Sequence, residues 1–338
     1  AYLVADGNAM GQVFDKCQEP ETLHDLSEAL TKILRESLAA PAQVLMNRAR
    51  GDAQDFVPAL PLILGGDDVF LLLPAPYALD FAHRFCLEYE KRMHDFLAGQ
   101  ELGGRPTMSA AVVVCKSTYP HALAHKRGEE LLHEAKRLAK SAVREGVTRS
   151  VVHFDLILGS RIASSGEETS AGYCGTLRPY WVLPKNKDER AAAEKAILSK
   201  GLGLPLDRLI EQRHALCVLP ARRMAQLRAV YAPGRLPSRS VESLGRWSAG
   251  LDQIVARIGR DEDPDDPMGT GLAARLRTAL ADLGGDSGGY WYHLTRPDAR
   301  SEATGQIGHG LPDLIAMWDY CFDLDKDRDE YEQREGGR

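Results

Sequence analysis

Two apolar runs, Leu60–Leu64 and Val69–Leu73, are separated only by Gly65-Gly66-Asp67-Asp68. This spacing constrains the fold more than any other feature, because it reads as a β-hairpin with a very short tip. Two adjacent glycines give the backbone the freedom that such a tight turn requires. The tip then carries two neighbouring carboxylates, which repel each other, so that a cation is their natural compensation. A plain solvated turn is the competing reading, since Gly and Asp are common turn residues in any setting.

Hydrophobic periodicity extends the pattern on both sides of the hairpin. Tyr2–Ala5 is a short apolar strand ending on Asp6, and Glu21–Ala39 carries Leu23, Leu26, Leu30 and Ile33/Leu34 at helical spacing. After the hairpin come a helix over Ala78–Leu97, opened by Pro76 and closed near Gly99, and a β-branched strand over Met108–Cys115. A third helix over His121–Arg144 stops at Gly146, and a strand follows over Ser150–Leu158. The order β-α-β-β-α-β-α-β predicts an α+β fold: a ferredoxin-like sheet with one added unit, the layout of palm domains.

The second half changes character. Residues 159–175 are rich in Gly and Ser and read as a linker, Lys185–Ile258 is mostly helical, and Gly259–Pro267 is an acidic turn cluster. Helical periods return at Gly271–Leu283 and Leu311–Phe322, and the charged end, Asp323–Arg338, reads as frayed. A chain of 338 residues exceeds the ~250–300 residues at which single cores stop growing, which predicts two domains. We place them at 1–158 (palm) and 159–338 (mainly α-helical accessory domain).

Composition excludes several classes. The six cysteines are scattered with no C-x-x-C, which argues against structural zinc and a disulfide framework and fits a reducing cytoplasm. A net charge of −6 argues against a surface coated for non-specific DNA binding. The longest apolar runs, such as 69–74, fall far short of the ~20 residues a bilayer requires, so no membrane association is expected. The chain opens directly on a strand, with no initiator Met and no basic region before an apolar one. It is therefore expected to be part of a longer protein and to carry no signal peptide.

Asp6-Gly-Asn-Ala-Met-Gly11 follows the first strand, where a palm sheet would set it beside the hairpin tip. Asp6, Asp67 and Asp68 could then share two metals ~3.5–4 Å apart, which would activate an attacking hydroxyl and stabilise a departing pyrophosphate. Gly7 would let its carbonyl approach a metal, and Gly11 would bring a helix N-terminus to the phosphates. Lys136, Lys140 and Arg144 recur every four residues on one face of the third helix, as a stripe suited to a triphosphate or as the wet side of an amphipathic helix. His24-Asp25 and His94-Asp95 read as surface pairs, His153 as a packed residue, and the four tryptophans as core anchors. The loop over 284–289 lacks a Walker lysine and a preceding strand, and reads as a connection.

Together, Asp6-Gly-Asn-Ala-Met-Gly11, Gly65-Gly66-Asp67-Asp68, the Thr107–Val114 strand and the Glu129–Lys136 helix resemble the palm of the Cas10/Cmr2 large subunit of type III CRISPR complexes. That palm is akin to diguanylate-cyclase domains. The resemblance covers about residues 1–158. Beyond it, Thr176-Leu-Arg-Pro-Tyr180 and Leu311-Pro-Asp-Leu-Ile315 resemble the region after that family's palm. The resemblance implies conversion of ATP to cyclic oligoadenylates with two Mg²⁺ or Mn²⁺ ions. Asp6, Gly7, Asp67 and Asp68 would hold the metals, with Gly65 and Gly66 shaping the tip. Asn8, Gly11, Ser109 (near the base), Lys136 (near the phosphates) and Lys140 would line the nucleotide site.

The sequence also departs from the family. Asn8 stands where a second acid is frequent, and the family's other palm, its zinc-binding region and its N-terminal HD nuclease have no counterpart in this sequence. A homodimer or partner subunits would have to supply a second nucleotide site, and RNA or a ribonucleoprotein is a further expected partner. Two hypotheses follow: a nucleotide cyclase acting in antiviral defence, or a palm that binds ATP as a sensor or scaffold with little turnover. A diguanylate-type cyclase is a lesser variant of the first, because the tip lacks the acid-acid-aromatic ending.

Overall fold

The computed structural model describes residues 1–17, 19–51, 59–100, 102–157, 174–217, 219, 221–230, 241–260, 271–284, 292–294 and 306–325. In chain order these form β1 (Tyr2–Asn8), α1 (Met10–Phe14), α2 (Pro20–Gly51), β2 (Leu60–Gly65), β3 (Asp68–Leu72), α3 (Ala78–Gly99), β4 (Thr107–Cys115), α4 (His121–Val143) and β5 (Val151–Ile157). They continue with β6 (Cys174–Gly175), β7 (Tyr180–Trp181), α5 (Lys187–Ser199), α6 (Leu206–Ala215), α7 (Ala221–Val230) and α8 (Val241–Arg260). After these come α9 (Leu272–Gly284), β8 (Tyr292–Leu294), β9 (Gln306–Gly308) and α10 (Gly310–Ala316). The fold is α+β, with the palm layout in the first half and helices dominating the second. None of the helices searched among the described residues is long and apolar enough to cross a membrane.

The main sheet runs β2-β3-β1-β4-β5-β7. β1 is antiparallel to both β3 and β4, while β4 and β5 are parallel across the α4 crossover. Strand alternation divides the side chains between two layers. Leu3, Ala5, Val69, Leu71, Met108 and Val112 face α2 and α3, where Phe81, Phe85, Tyr89 and Met93 are fully buried. Val4, Phe70, Ala111 and Val113 face Ala124, Leu131 and Leu132 of α4. Each large side chain buried this way contributes on the order of 1.5–3 kcal/mol. β4 is covered on both faces, which explains why its sequence is a continuous apolar run with no alternation.

Gly128 sets how closely α4 lies on the sheet. A Cβ there would stand 2.6 Å from Val4 Cγ2, so only glycine admits this approach. Gly128→Leu should destabilise the fold by about 1–3 kcal/mol, the usual cost of overpacking, and this can be read from the midpoint of denaturant unfolding.

Several elements depart from the sequence expectations. β1 runs past Ala5 to Asn8, because its register with β4 continues to the pair Asn8↔Thr107. α2 continues through Pro41, where the sequence suggests a stop at Ala39; Leu38 and Leu45 extend its buried stripe against α3 and outweigh the lost backbone bond. The short strands β6, β8 and β9 form a three-stranded sheet within the half read as mainly helical. Asp323 and Asp325 are clasped by Arg84 at 3.1 and 2.8 Å, so the start of the expected frayed end is pinned to α3. Residues 158–173, 261–270, 285–291 and 326–338 lie outside the described residues, and with them most of the expected linker, acidic turn and 284–289 loop, as well as Trp291.

β7, from beyond residue 158, pairs with β5 and so extends the palm's own sheet. Asp313, fully buried on α10, ties this junction together. It accepts hydrogen bonds from the Leu177 amide (2.9 Å) and the Tyr180 hydroxyl (2.7 Å), and pairs with Arg178 Nε at 2.7 Å. Arg178 also donates to the Phe154 carbonyl, and Asp155 next to it pairs with Arg127 of α4 at 2.8 Å. The segments 176–180 and 311–315, far apart in sequence, thus meet through one carboxylate.

Candidate active site

β1 and the β2–β3 hairpin bring the three acids together. β3 pairs directly with β1 through Ala5↔Val69, so the hairpin tip projects beside the last residues of β1. Gly65 pairs with Asp68 across the tip, leaving Gly66 and Asp67 as the two central residues. Gly66 has φ +62°, and the following Asp67 has a negative φ. A left-handed first central residue is what a type II′ hairpin turn needs, and glycine supplies it without steric cost.

Asp6 shares its sheet face with Val4 and looks toward α4, where Lys136 forms an ion pair with it. Lys136 lies just over two turns beyond Gly128, so the close helix contact there fixes where this ammonium arrives. Asp68 lies within hydrogen-bonding reach of Asp6. Asp67 stands over Gly7: a Cβ on Gly7 would lie 2.8 Å from Asp67 Oδ2 and 2.8 Å from Met10 Cγ. Gly7 is therefore a cradle for the Asp67 carboxylate.

The electrostatics follow from this crowding. Burial, then the charge of Asp6, push the Asp67 carboxyl above its ordinary range, with Asp68 adding to the rise and its own backbone amide and Lys136 opposing it. Asp68 is raised by burial, by the charge of Asp6 and by the hydrogen bond between them, against the pull of Lys136. Tyr89, buried behind the tip with its hydroxyl 3.4 Å from Met10 Sδ, is raised by burial and then by Asp67 and Asp6. Among the described residues no three His, Cys, Asp or Glu side chains form a ready-made metal cage. The three acids are neighbours, with Lys136 supplying the counter-charge at Asp6. Hard carboxylate oxygens that repel one another, beside a glycine cradle, suit Mg²⁺ or Mn²⁺.

The remaining expected residues fall around this centre. Asn8 donates to Thr107 Oγ1 (3.0 Å) and accepts from Ser109 Oγ (3.0 Å), so its amide is engaged across the β1–β4 ladder, and Ser109 is fully buried. Gly11 lies in the first turn of the five-residue α1, with open space around its missing side chain. Ala9, between β1 and α1, has φ +62°, a left-handed conformation that costs a non-glycine residue roughly 1–2 kcal/mol. Such strain is a recurrent feature of functional turns. Lys140 and Arg144 continue the α4 stripe as exposed cations.

Some neighbours carry no sequence signal as site residues. Tyr89 reads only as one more inward position of α3. Thr107 is legible only through its register opposite Asn8. His94-Asp95 is an exposed surface pair at 3.8 Å, and His153 is packed against Glu134 at 3.1 Å.

None of the curated proteins compared with this chain matches it. Residues 1–144, which contain β1 through α4 and every side chain of the site, match the family model described as Cas10/Cmr2, second palm domain. Residues 1–144 are therefore a Cas10-type palm domain, a domain family that is generally nucleotidyl-cyclase- and polymerase-like.

Proposed function

We propose that this palm is a nucleotidyltransferase that condenses ATP into a cyclic (oligo)adenylate, in a type III CRISPR-related antiviral defence. The observation that carries the reading is the gathering of Asp6, Asp67 and Asp68 at one end of the sheet, with the last two carboxyls raised by burial and then by the charge of Asp6. Asp6, Asp67, Asp68 and the Gly7 carbonyl would hold two Mg²⁺ or Mn²⁺ ions. When bound, such ions activate the attacking hydroxyl and neutralise the departing phosphates.

In the reaction the 3′-oxygen of one nucleotide bonds to the α-phosphorus of another, the bond from that phosphorus to the β-phosphate bridge breaks, and pyrophosphate leaves. The hydroxyl proton passes to solvent. Lys136 and Lys140 offer counter-charge along α4 for the triphosphate, and Asn8 stands beside it toward the base and ribose, held in place by the buried Ser109 hydroxyl.

The acceptor nucleotide requires a second site, supplied by a second copy of the chain or by partner subunits, including a ribonucleoprotein with RNA. β2 supports this. It is the sheet's outer strand, and Leu60, Leu62, Ile63 and Leu64 are 48, 42, 51 and 38% exposed, directly beside the acidic tip. An apolar edge strand of this kind is a template for pairing with another chain.

The clamped amide of Asn8 favours a second reading, an ATP-binding sensor or scaffold subunit with little turnover. Incubation with labelled ATP, and separately GTP, in Mg²⁺ or Mn²⁺ separates the two. Metal-dependent cyclic product from ATP is expected; tight ATP binding with no product would establish the sensor and overturn the cyclase.

A further inference from the structure

A cleft of about 480 Å³ opens at the end of the sheet that carries Asn8, walled by α3, the segment before β4, the segment before β5 and the start of α5. Its volume lies within the ~300–1,000 Å³ of small-molecule sites. The acidic tip does not line it, so it is distinct from the centre described above. Leu87, Pro106 and Pro184 give it apolar walls, and Lys91, Arg105 and Lys185 stand on its rim.

The charges in the cleft are not self-cancelling. Glu90 accepts from the Ser150 amide (2.5 Å) and pairs with Arg149 at 3.5 Å; Glu88 pairs with Arg92, and Asp95 with His94. Lys91, Arg105 and Lys185 make no hydrogen bond or ion pair with a described residue, while among the described lining residues the acids without a permanent counter-charge are two, Glu189 and Asp95, whose neighbour His94 is charged only when protonated. Three such cations around a cavity with apolar walls fit a ligand with an apolar body and several negative charges.

The cleft also touches the site's own framework. Thr107 lines it while accepting the hydrogen bond from Asn8. Glu90, in its wall, holds the Ser150 amide, and Ser150 Oγ accepts from the Met108 amide beside Thr107. Ligand at Thr107 therefore bears on the strand pair that carries Asp6.

We propose that this cleft is a second nucleotide site on the same chain, binding a nucleoside phosphate through Lys91, Arg105 and Lys185 without any metal. The choice of a nucleotide as the ligand rests on the function proposed above; the cavity and its three cations do not. Because cations of the protein meet the phosphates, binding here persists when divalent ions are removed and weakens as salt rises.

A fluorescent ATP analogue titrated into the whole protein in EDTA tests this by anisotropy. Saturable binding is expected, unchanged in Asp67→Ala/Asp68→Ala and weakened at least about tenfold in Lys91→Ala/Arg105→Ala/Lys185→Ala, with a smaller loss in the same direction for each single substitution. An unchanged melting temperature checks the fold of the triple variant. Competition by ATP well ahead of pyrophosphate supports a nucleotide; equal competition by the two would mean a simple anion site. That result, no binding in EDTA, or equal binding by the triple variant would overturn the proposal. Failure of the palm reading would appear separately, as absence of a metal-dependent phase sensitive to Asp67 and Asp68.

Discussion

Replacing Asp67 and Asp68 together by alanine is expected to lower formation of nucleotide product by at least about 10³-fold. Loss of a single preorganised electrostatic group typically costs 10²–10³ in turnover, and this change removes two of the three acids that would hold the metals. The same substitution should leave the fold intact or stabilise it. Both carboxyls are raised above the unfolded value of 3.8, so the native state binds protons more tightly than the unfolded chain. Their contribution to stability is full below that value and is lost as pH rises through their raised native values. At neutral pH, without divalent ions, the double variant should therefore melt at or above the wild-type temperature. Mn²⁺ should raise the melting temperature of the wild type, since a ligand of the native state stabilises it, and leave the variant unmoved. Full activity in the variant, or a melting temperature well below that of the wild type, would contradict this.

Gly7→Ala should be almost as damaging, through a single methyl group. The new Cβ would stand 2.8 Å from Asp67 Oδ2 and from Met10 Cγ, so the carboxylate or the start of α1 must shift. A displacement of about 1 Å at a reacting centre can cost on the order of 10²-fold. We expect a fall in kcat of that size with an overpacking cost of about 1–3 kcal/mol. Gly11→Ala is the matched control. A Cβ on Gly11 would meet nothing within 4 Å, and alanine favours a helix by roughly 0.8–1.0 kcal/mol, so near wild-type kinetics are expected. Equal kinetics for the two substitutions would remove Gly7 from the site.

Much of this arrangement is legible from residue pattern. Strands and helices of the palm announce themselves by period, and the hairpin by the brevity of its Gly-Gly-Asp-Asp tip. The neighbourhood of Asp6 and the tip follows once β1 lies between β3 and β4, because Asp6 and Asp67 then emerge at the same end of the sheet. What stays hidden are contacts that no local rule encodes. Whether α2 survives Pro41 depends on the α3 surface beneath it. The fit of Gly128 on Val4 depends on helix-to-sheet distance, and the engagement of Asn8 by Thr107 and Ser109 on the β1–β4 register. Asp313 reaches Tyr180 across 133 positions of sequence, so the junction between the halves has no local signature. Spacing leaves Lys136 open as part of a phosphate stripe or of the wet side of α4; its ion pair with Asp6 is a contact that only the packing of α4 supplies.

The central claim is that Asp6, Asp67 and Asp68 grip two divalent ions against a triphosphate. Counting Mn²⁺ bound per chain by electron paramagnetic resonance, in the presence of a non-hydrolysable ATP analogue, tests it most directly. We predict about two ions per palm in the wild type, the number a two-metal site holds, and their loss in Asp67→Ala/Asp68→Ala. Equal Mn²⁺ uptake by the double variant, or none by the wild type, would contradict it.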